Sequence, residues 1–180
     1  MGLSPHNIET VHVDISPPLL PQSFDGLKIA FLSDLHYGFY GVSSTLVEKS
    51  LEAAMAERPD LLCFGGDLIT GWSDRSSLGE FASIVRSVSA PMGVYGVMGN
   101  HEFLWGESDV MRAFDGTNIR LLRNETVTLQ RGADRLPLVG LDNAFNQTIE
   151  AVRHQASSLR RHPGAIVLEH TPDFAAFVGN

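Results

Sequence analysis

Four short apolar runs in this sequence each end in polar residues able to bind or activate something: Asp34 with His36 after Lys28 to Leu32, Gly66 with Asp67 after Leu61 to Phe64, Asn100 with His101 after Gly93 to Met98, and His170 after Ala165 to Leu168. Carboxylate oxygen, imidazole nitrogen and amide oxygen form a borderline-hard ligand set that suits manganese, zinc or iron and needs no cysteine. In Asp34-Leu35-His36, residues two apart share a face of an extended backbone, so both side chains can chelate one ion. One aspartate can bridge two ions, and Asp67 is the natural candidate. Each cluster alone has a plainer explanation. An Asp after a strand is often only the N-cap of the next helix, His170 suits a hydrogen-bonded loop, and Asn100 suits a turn. Asp34, His36, Asp67, Asn100 and His170, taken together at successive strand ends, are harder to assign to caps.

The elements that must position these residues are short. Lys28 to Leu32 has the apolar composition of a strand buried on both faces, and Leu61 to Phe64 and Gly93 to Met98 follow the same pattern. Between them, Leu46, Val47, Leu51, Ala54 and Met55 recur with helical spacing behind Ser43 or Ser44 as N-cap, and Leu78 to Val88 predicts a second helix. Upstream, Glu9 to Ile15 alternates polar and apolar, as a half-exposed edge strand does. Downstream, Thr126 to Gln130 and Leu136 to Leu141 flank the polar turn Arg131 to Asp134 and predict a hairpin, followed by a helix from Ile149 to Arg161. Ligands of an open α/β sheet bind beyond the carboxyl ends of its strands, so the four clusters are expected to converge on one rim.

Ser33-Asp34-Leu35-His36, Gly65-Gly66-Asp67, Gly99-Asn100-His101-Glu102 and His170-Thr171-Pro172 resemble, in order and spacing, the successive signatures of the calcineurin-like metallophosphoesterases. The likeness spans Lys28 to Asp173, and Phe24 to Lys28 with Tyr37-Gly38 resembles the bacterial envelope-associated branch more than the protein phosphatases. The resemblance implies an α/β fold of βαβαβ layered sheets flanked by helices, in a single domain over 1–180. It also implies two divalent or trivalent transition-metal ions (Mn, Fe or Zn): Asp34 and His36 on the first, Asp67 bridging, Asn100 and His170 on the second, with His101 facing the substrate. The implied activity is hydrolysis of phosphomonoester, phosphodiester or pyrophosphate bonds by a water that two metals activate. The family pattern continues with a Gly-His-x-His motif giving one histidine to each metal. That motif is absent, so the chain is read as truncated at its C-terminus. The rival reading is a catalytically impaired binding module of the same fold. Substitute ligands are not expected from His6, His12, His154 or His162, which lie in the predicted edge strand or on solvated surface. Glu102 and Asp142 are either carboxylates behind the ligand histidines or surface or capping residues with no role there, and Trp72, Phe103 and Trp105 either line a pocket or anchor packing.

Bulk properties narrow the class. With 43% hydrophobic and 19% charged residues, the 180-residue chain has the composition of a folded domain. A net charge of -8 argues against duplex DNA as partner. A phosphate-ester small molecule or a lipid or sugar head group fits if cations sit in the site. The single cysteine, Cys63, lies in an apolar run and reads as a small core residue. No run of about 18 apolar residues is present to span a membrane, which suits a cytoplasmic protein or one peripheral to the cell envelope. Neither a Gly-x-Ser-x-Gly elbow nor a Gly-x-x-x-x-Gly-Lys loop is present, which sets aside serine hydrolases and P-loop nucleotide binders.

Overall fold

The computed structural model describes residues 8–144 and 147–171. In chain order the elements are β1 (Ile29–Leu32), α1 (Ser44–Ala56), β2 (Leu61–Phe64), α2 (Arg75–Val85), β3 (Val94–Gly96), α3 (Asn100–Trp105), α4 (Glu107–Phe114), β4 (Ile119–Leu121), β5 (Glu125–Arg131), β6 (Asp134–Gly140), α5 (Ile149–Leu159) and β7 (Ile166–Leu168), with a short 3-10 turn at Gln22–Phe24 before them. Strands β1-β2-β3-β4 form one parallel sheet in that order, and β5-β6-β7 form a second. In the second sheet β5 and β6 are an antiparallel hairpin, and β7 lies parallel to β6.

The side-chain pattern accounts for the layering. In β2 all four residues are buried, and alternation sends Leu62 and Phe64 to one face and Leu61 and Cys63 to the other. Leu62 and Phe64 pack with Val47 and Leu51 of α1, Phe81 and Val85 of α2, and Val110 and Phe114 of α4. Leu61 and Cys63 meet Val127, Leu129, Leu136, Leu138 and Leu168 of the second sheet, with Phe24 closing that layer. The far side of the second sheet is covered by α5, through Val152, Ala156 and Leu159 against Val139 and Leu141. The order is therefore helices, sheet, sheet, helix. Helix α1 starts where its cap predicts, because the Ser43 hydroxyl accepts the Leu46 N–H.

Several expectations need correcting. The four strand ends do not share one sheet, because β7 pairs with β6 in the second sheet. Strand β1 is the first in its sheet's order and is not buried on both faces, since Ile29 and Phe31 reach solvent. The predicted strand at Glu9 to Ile15 does not form. That segment lines a groove of about 560 Å³ beside β1 without pairing, and Val11, Val13 and Ile15 are exposed. Alternation alone does not make a strand without a partner edge within hydrogen-bond reach. Helices α3 and α4 and strand β4 were not predicted, and α2 begins three residues before Leu78.

Candidate metal centre

The chain leaves β1 and β2 into two loops that are laced together. Asp34 N–H donates to the Gly66 carbonyl at 3.0 Å, His36 N–H to Asp67 at 2.9 Å, Tyr37 N–H to Leu68 at 2.9 Å, and Thr70 N–H back to Tyr37 at 2.9 Å. Within this lacing Asp34, His36 and Asp67 all adopt left-handed backbone, with φ of 56°, 48° and 50°. The Asp-x-His pair is therefore not on extended backbone as expected, and its two side chains are aimed by the turns. Non-glycine residues pay about 1–2 kcal/mol for this conformation. Glycines allow the close approach around it. A Cβ on Gly66 would come within 2.5 Å of the Gly99 nitrogen, and one on Gly99 would collide with Asp67.

Asp67 is the hub, buried to 4% exposure. Its Oδ1 accepts the His101 N–H at the start of α3, at 2.9 Å. Its Oδ2 faces three imidazoles, with Nε2 of His170 at 3.4 Å, of His36 at 3.7 Å and of His101 at 3.9 Å. The last two exceed hydrogen-bond reach. Candidate ligand atoms fall into two groups that share Asp67: His36, Asp67 and His101 in one, and Asp34, Asp67 and His170 in the other, each within 4.8 Å. His36 Nε2 also lies 3.9 Å from Asp34 Oδ1, across the division between the groups. Asn100 opens α3 next to His101 and is half-buried. The mixed nitrogen and oxygen donors around a buried, shared carboxylate oxygen fit transition-metal ions.

The electrostatics follow from this crowding. Burial acts to raise the Asp67 carboxyl, but hydrogen bonds from His170 and the His101 N–H and the neighbouring imidazoles outweigh it, holding Asp67 below the usual carboxylate range. His170 is pushed up to about 9, chiefly by its hydrogen bond to Asp67, against the opposing effect of burial. The Gly65 carbonyl accepts from its Nδ1 at 2.9 Å.

Glu102 does not stand behind a ligand histidine; it caps the start of α3 and reaches further. It is 1% exposed and touches backbone, not a ligand histidine. Its Oε2 accepts N–H groups of Asp67 at 2.8 Å and Gly99 at 2.7 Å, and its Oε1 those of Leu68 at 2.7 Å and Ile69 at 3.2 Å. Burial pushes its carboxyl up, against the N–H donors of Ile69, Gly99 and Asp67 that favour the ionised form. Asp142 instead accepts from Arg123 at 2.9 Å and Asn124 at 3.1 Å, and Arg123 also pairs with Glu107. Trp72 is exposed with its ring centroid 4.9 Å from that of His101, whereas Phe103 and Trp105 pack on the core. His12 pairs with Glu57 and His162 meets Thr126; neither, nor His154, belongs to either ligand group among the described residues. Pro172 and His6 lie outside the described residues.

The sequence matches the Calcineurin-like phosphoesterase family over residues 27–174. The metallophosphoesterase YkuE of Bacillus subtilis is 30% identical over 96% of this chain and 60% of its own length. A metallophosphoesterase of Aquifex aeolicus is 28% identical over 66% of this chain and 43% of its own. The UDP-2,3-diacylglucosamine pyrophosphatase LpxG of Chlamydia muridarum is 28% identical over 56% of this chain and 30% of its own. The chain thus spans less than two thirds of the length of each of these relatives.

Proposed function

Because this chain belongs to the calcineurin-like phosphoesterase family, we propose that it hydrolyses phosphomonoester, phosphodiester or pyrophosphate bonds with two metal ions, held by Asp34, His36, Asp67, Asn100 and His170. The observation that carries the reading is Asp67, which belongs to both ligand groups, with its Oδ1 taken by a backbone N–H and its Oδ2 facing three imidazoles. When bound, such ions would draw charge from phosphoryl oxygens and lower the pKa of a water toward neutrality.

Two histidines beside Asp67 use Nδ1 in opposite ways, which separates their roles. His170 donates through Nδ1 to the Gly65 carbonyl, so that once the Nε2 proton it shares with Asp67 is displaced, Nε2 would be free to hold an ion, as metal-binding histidines do. His101 accepts the Gly71 N–H at Nδ1, at 3.0 Å, so its neutral ring carries hydrogen on Nε2. That favours His101 as a proton donor to a substrate oxygen over a ligand, although its nitrogen lies within ligand range. Trp72 and the edge-on contact with His36, at 4.6 Å between centroids, hold the His101 ring in place.

LpxG cleaves a lipid-linked pyrophosphate by its name, and a lipid or sugar phosphoester is within the range we propose here. The test is elemental analysis and turnover of bis-p-nitrophenyl phosphate by the full-length protein loaded with Mn²⁺. About two ions per chain and metal-dependent hydrolysis are expected, both lost in Asp67→Asn. Less than about half an ion after loading, or hydrolysis that persists in Asp67→Asn, refutes the proposal.

A further inference from the structure

Among the described residues, the candidate metal centre is open to solvent. Asp34 has 58% of its side chain exposed, while a cavity of about 640 Å³ lies elsewhere, along Met111 to Leu121. Beside the opening stand four exposed apolar side chains: Tyr40 at 98%, Trp72 at 68%, Leu104 at 64% and Phe39 at 53%. They come from three segments that touch one another. Phe39 N–H donates to the His36 carbonyl at 3.0 Å, so the Phe39-Tyr40 turn follows immediately from a candidate ligand. A Cβ on Gly38 would come within 2.5 Å of the Ser73 Cβ, which puts this turn against the Trp72 loop. A Cβ on Gly71 would come within 2.7 Å of the Leu104 Cβ, which puts the Trp72 loop against α3. Trp72 in turn lies on His101.

The three segments that carry these side chains are themselves uncharged. Tyr37 to Thr45, Leu68 to Ser73 and Phe103 to Gly106 contain no Asp, Glu, Lys or Arg, in a chain of net charge -8. Trp, Tyr and Phe beside an aliphatic residue, exposed together and free of charge, match the composition of surfaces that enter the boundary of a lipid phase. One flat ring would suffice to stack a nucleobase. Four apolar groups spread over three segments cover more than one ring can use.

Resting on the hydrolase reading above, we propose that Phe39, Tyr40, Trp72 and Leu104 receive the hydrocarbon part of an amphiphilic phosphoester, so that the substrate is a lipid phosphoester presented at a micelle or membrane surface. The phosphate reaches Asp67 and its histidines from above, and the chains stay in the lipid phase against the rim.

The full-length, Mn²⁺-loaded protein is assayed on three p-nitrophenyl phosphodiesters: bis-p-nitrophenyl phosphate, thymidine p-nitrophenyl phosphate, and dodecyl p-nitrophenyl phosphate in neutral detergent micelles. The dodecyl ester is expected to be preferred in kcat/KM by about tenfold or more, the scale of burying one apolar side chain. In Tyr40→Ser combined with Leu104→Gln, that preference over bis-p-nitrophenyl phosphate collapses. A second arm needs no turnover: with metal removed, dodecylphosphocholine micelles shift tryptophan emission to the blue in the parent protein and not in Trp72→Phe. Preference for the thymidine ester, or equal rates on the soluble and dodecyl esters, overturns the proposal while leaving the hydrolase reading intact. If no ester is cleaved and no metal is bound, the hydrolase reading fails and the emission arm alone decides the rim, an unshifted spectrum overturning it.

Discussion

Replacing Glu102 by glutamine tests what holds the centre together. The carboxylate accepts two backbone N–H groups on each oxygen, four in all, from Asp67, Gly99, Leu68 and Ile69. Glutamine keeps one acceptor oxygen and turns an NH2 group toward the other pair of donors. Two buried N–H groups then lose their partner and face a like donor. At about 1–3 kcal/mol for each unsatisfied buried group, the loss is about 2–6 kcal/mol. That is a large share of a total stability of about 5–15 kcal/mol. Urea denaturation of metal-free full-length protein, parent against Glu102→Gln, reads this loss as a fall in the midpoint at unchanged slope. Metal titration under conditions where both remain folded is expected to be weaker in the variant, because Asp67 and the start of α3 are no longer tied together. A midpoint shift that corresponds to less than about 0.5 kcal/mol would refute the clamp.

Other consequences are as specific. His170→Gln is expected to remove bound metal and activity together, whereas His101→Gln lowers turnover of bis-p-nitrophenyl phosphate and leaves metal content nearly unchanged; equal metal loss in both, by elemental analysis, would contradict the tautomer assignment. The Asp67 and His170 shifts predict the pH profile of metal-free stability. Asp67 is held below its ordinary 3.8, so its contribution is present above that value and fades as pH falls. His170 is raised from 6.5 to about 9, so its contribution is full below 6.5 and is lost as pH climbs through about 9. Urea midpoints at pH 5.5, 7.5 and 9.5 should therefore decline in that order in chelator-treated protein, and less so in His170→Gln; a profile identical in the two proteins counts against the pair. The buried Cys63 thiol, pushed up to about 12 by desolvation, should resist Ellman's reagent at pH 8 in the native state and react fully in urea. Rapid modification of native protein would show that its layer between the sheets opens.

The parts of this molecule legible in the sequence are those where local chemistry and tertiary role agree. Leu61 to Phe64 is continuously apolar because both of its faces are covered, and the strand has those bounds. Ser43 and the turn at Arg131 to Asp134 announce a helix start and a hairpin by their own hydrogen-bonding needs. What failed was what depends on neighbours. The apolar run of β1 matches that of a central strand, and nothing local says that it sits at an edge. The β7 run likewise carries no sign of which sheet it joins, so the convergence of His170 on Asp67 was expected from the wrong geometry. In Asn100 to Phe114, Gly106 at φ 126° divides two short helices, each too brief to display a clear apolar stripe. Glu102 is a buried acid placed as if it were a surface residue of α3, and only the donors converging on it reveal its task.

Placing His170 on the second sheet has a physical consequence for how the centre is made. Asp34, His36 and Asp67 come from loops of the first sheet, and His170 reaches them only if β7 is seated against β6 and the layer between the sheets is packed. The left-handed turns at Asp34, His36 and Asp67 cannot be stable in isolation, since each costs about 1–2 kcal/mol and has only local contacts to offset it. They persist because the two loops exchange backbone hydrogen bonds, because Gly66 and Gly99 let the strand ends approach, and because Glu102 ties four N–H groups from both sides. The candidate donor atoms are thus aimed by contacts from both sheets at once, so a change that unseats β7 or breaks the Glu102 clamp is expected to disturb all of them together and not one ligand alone.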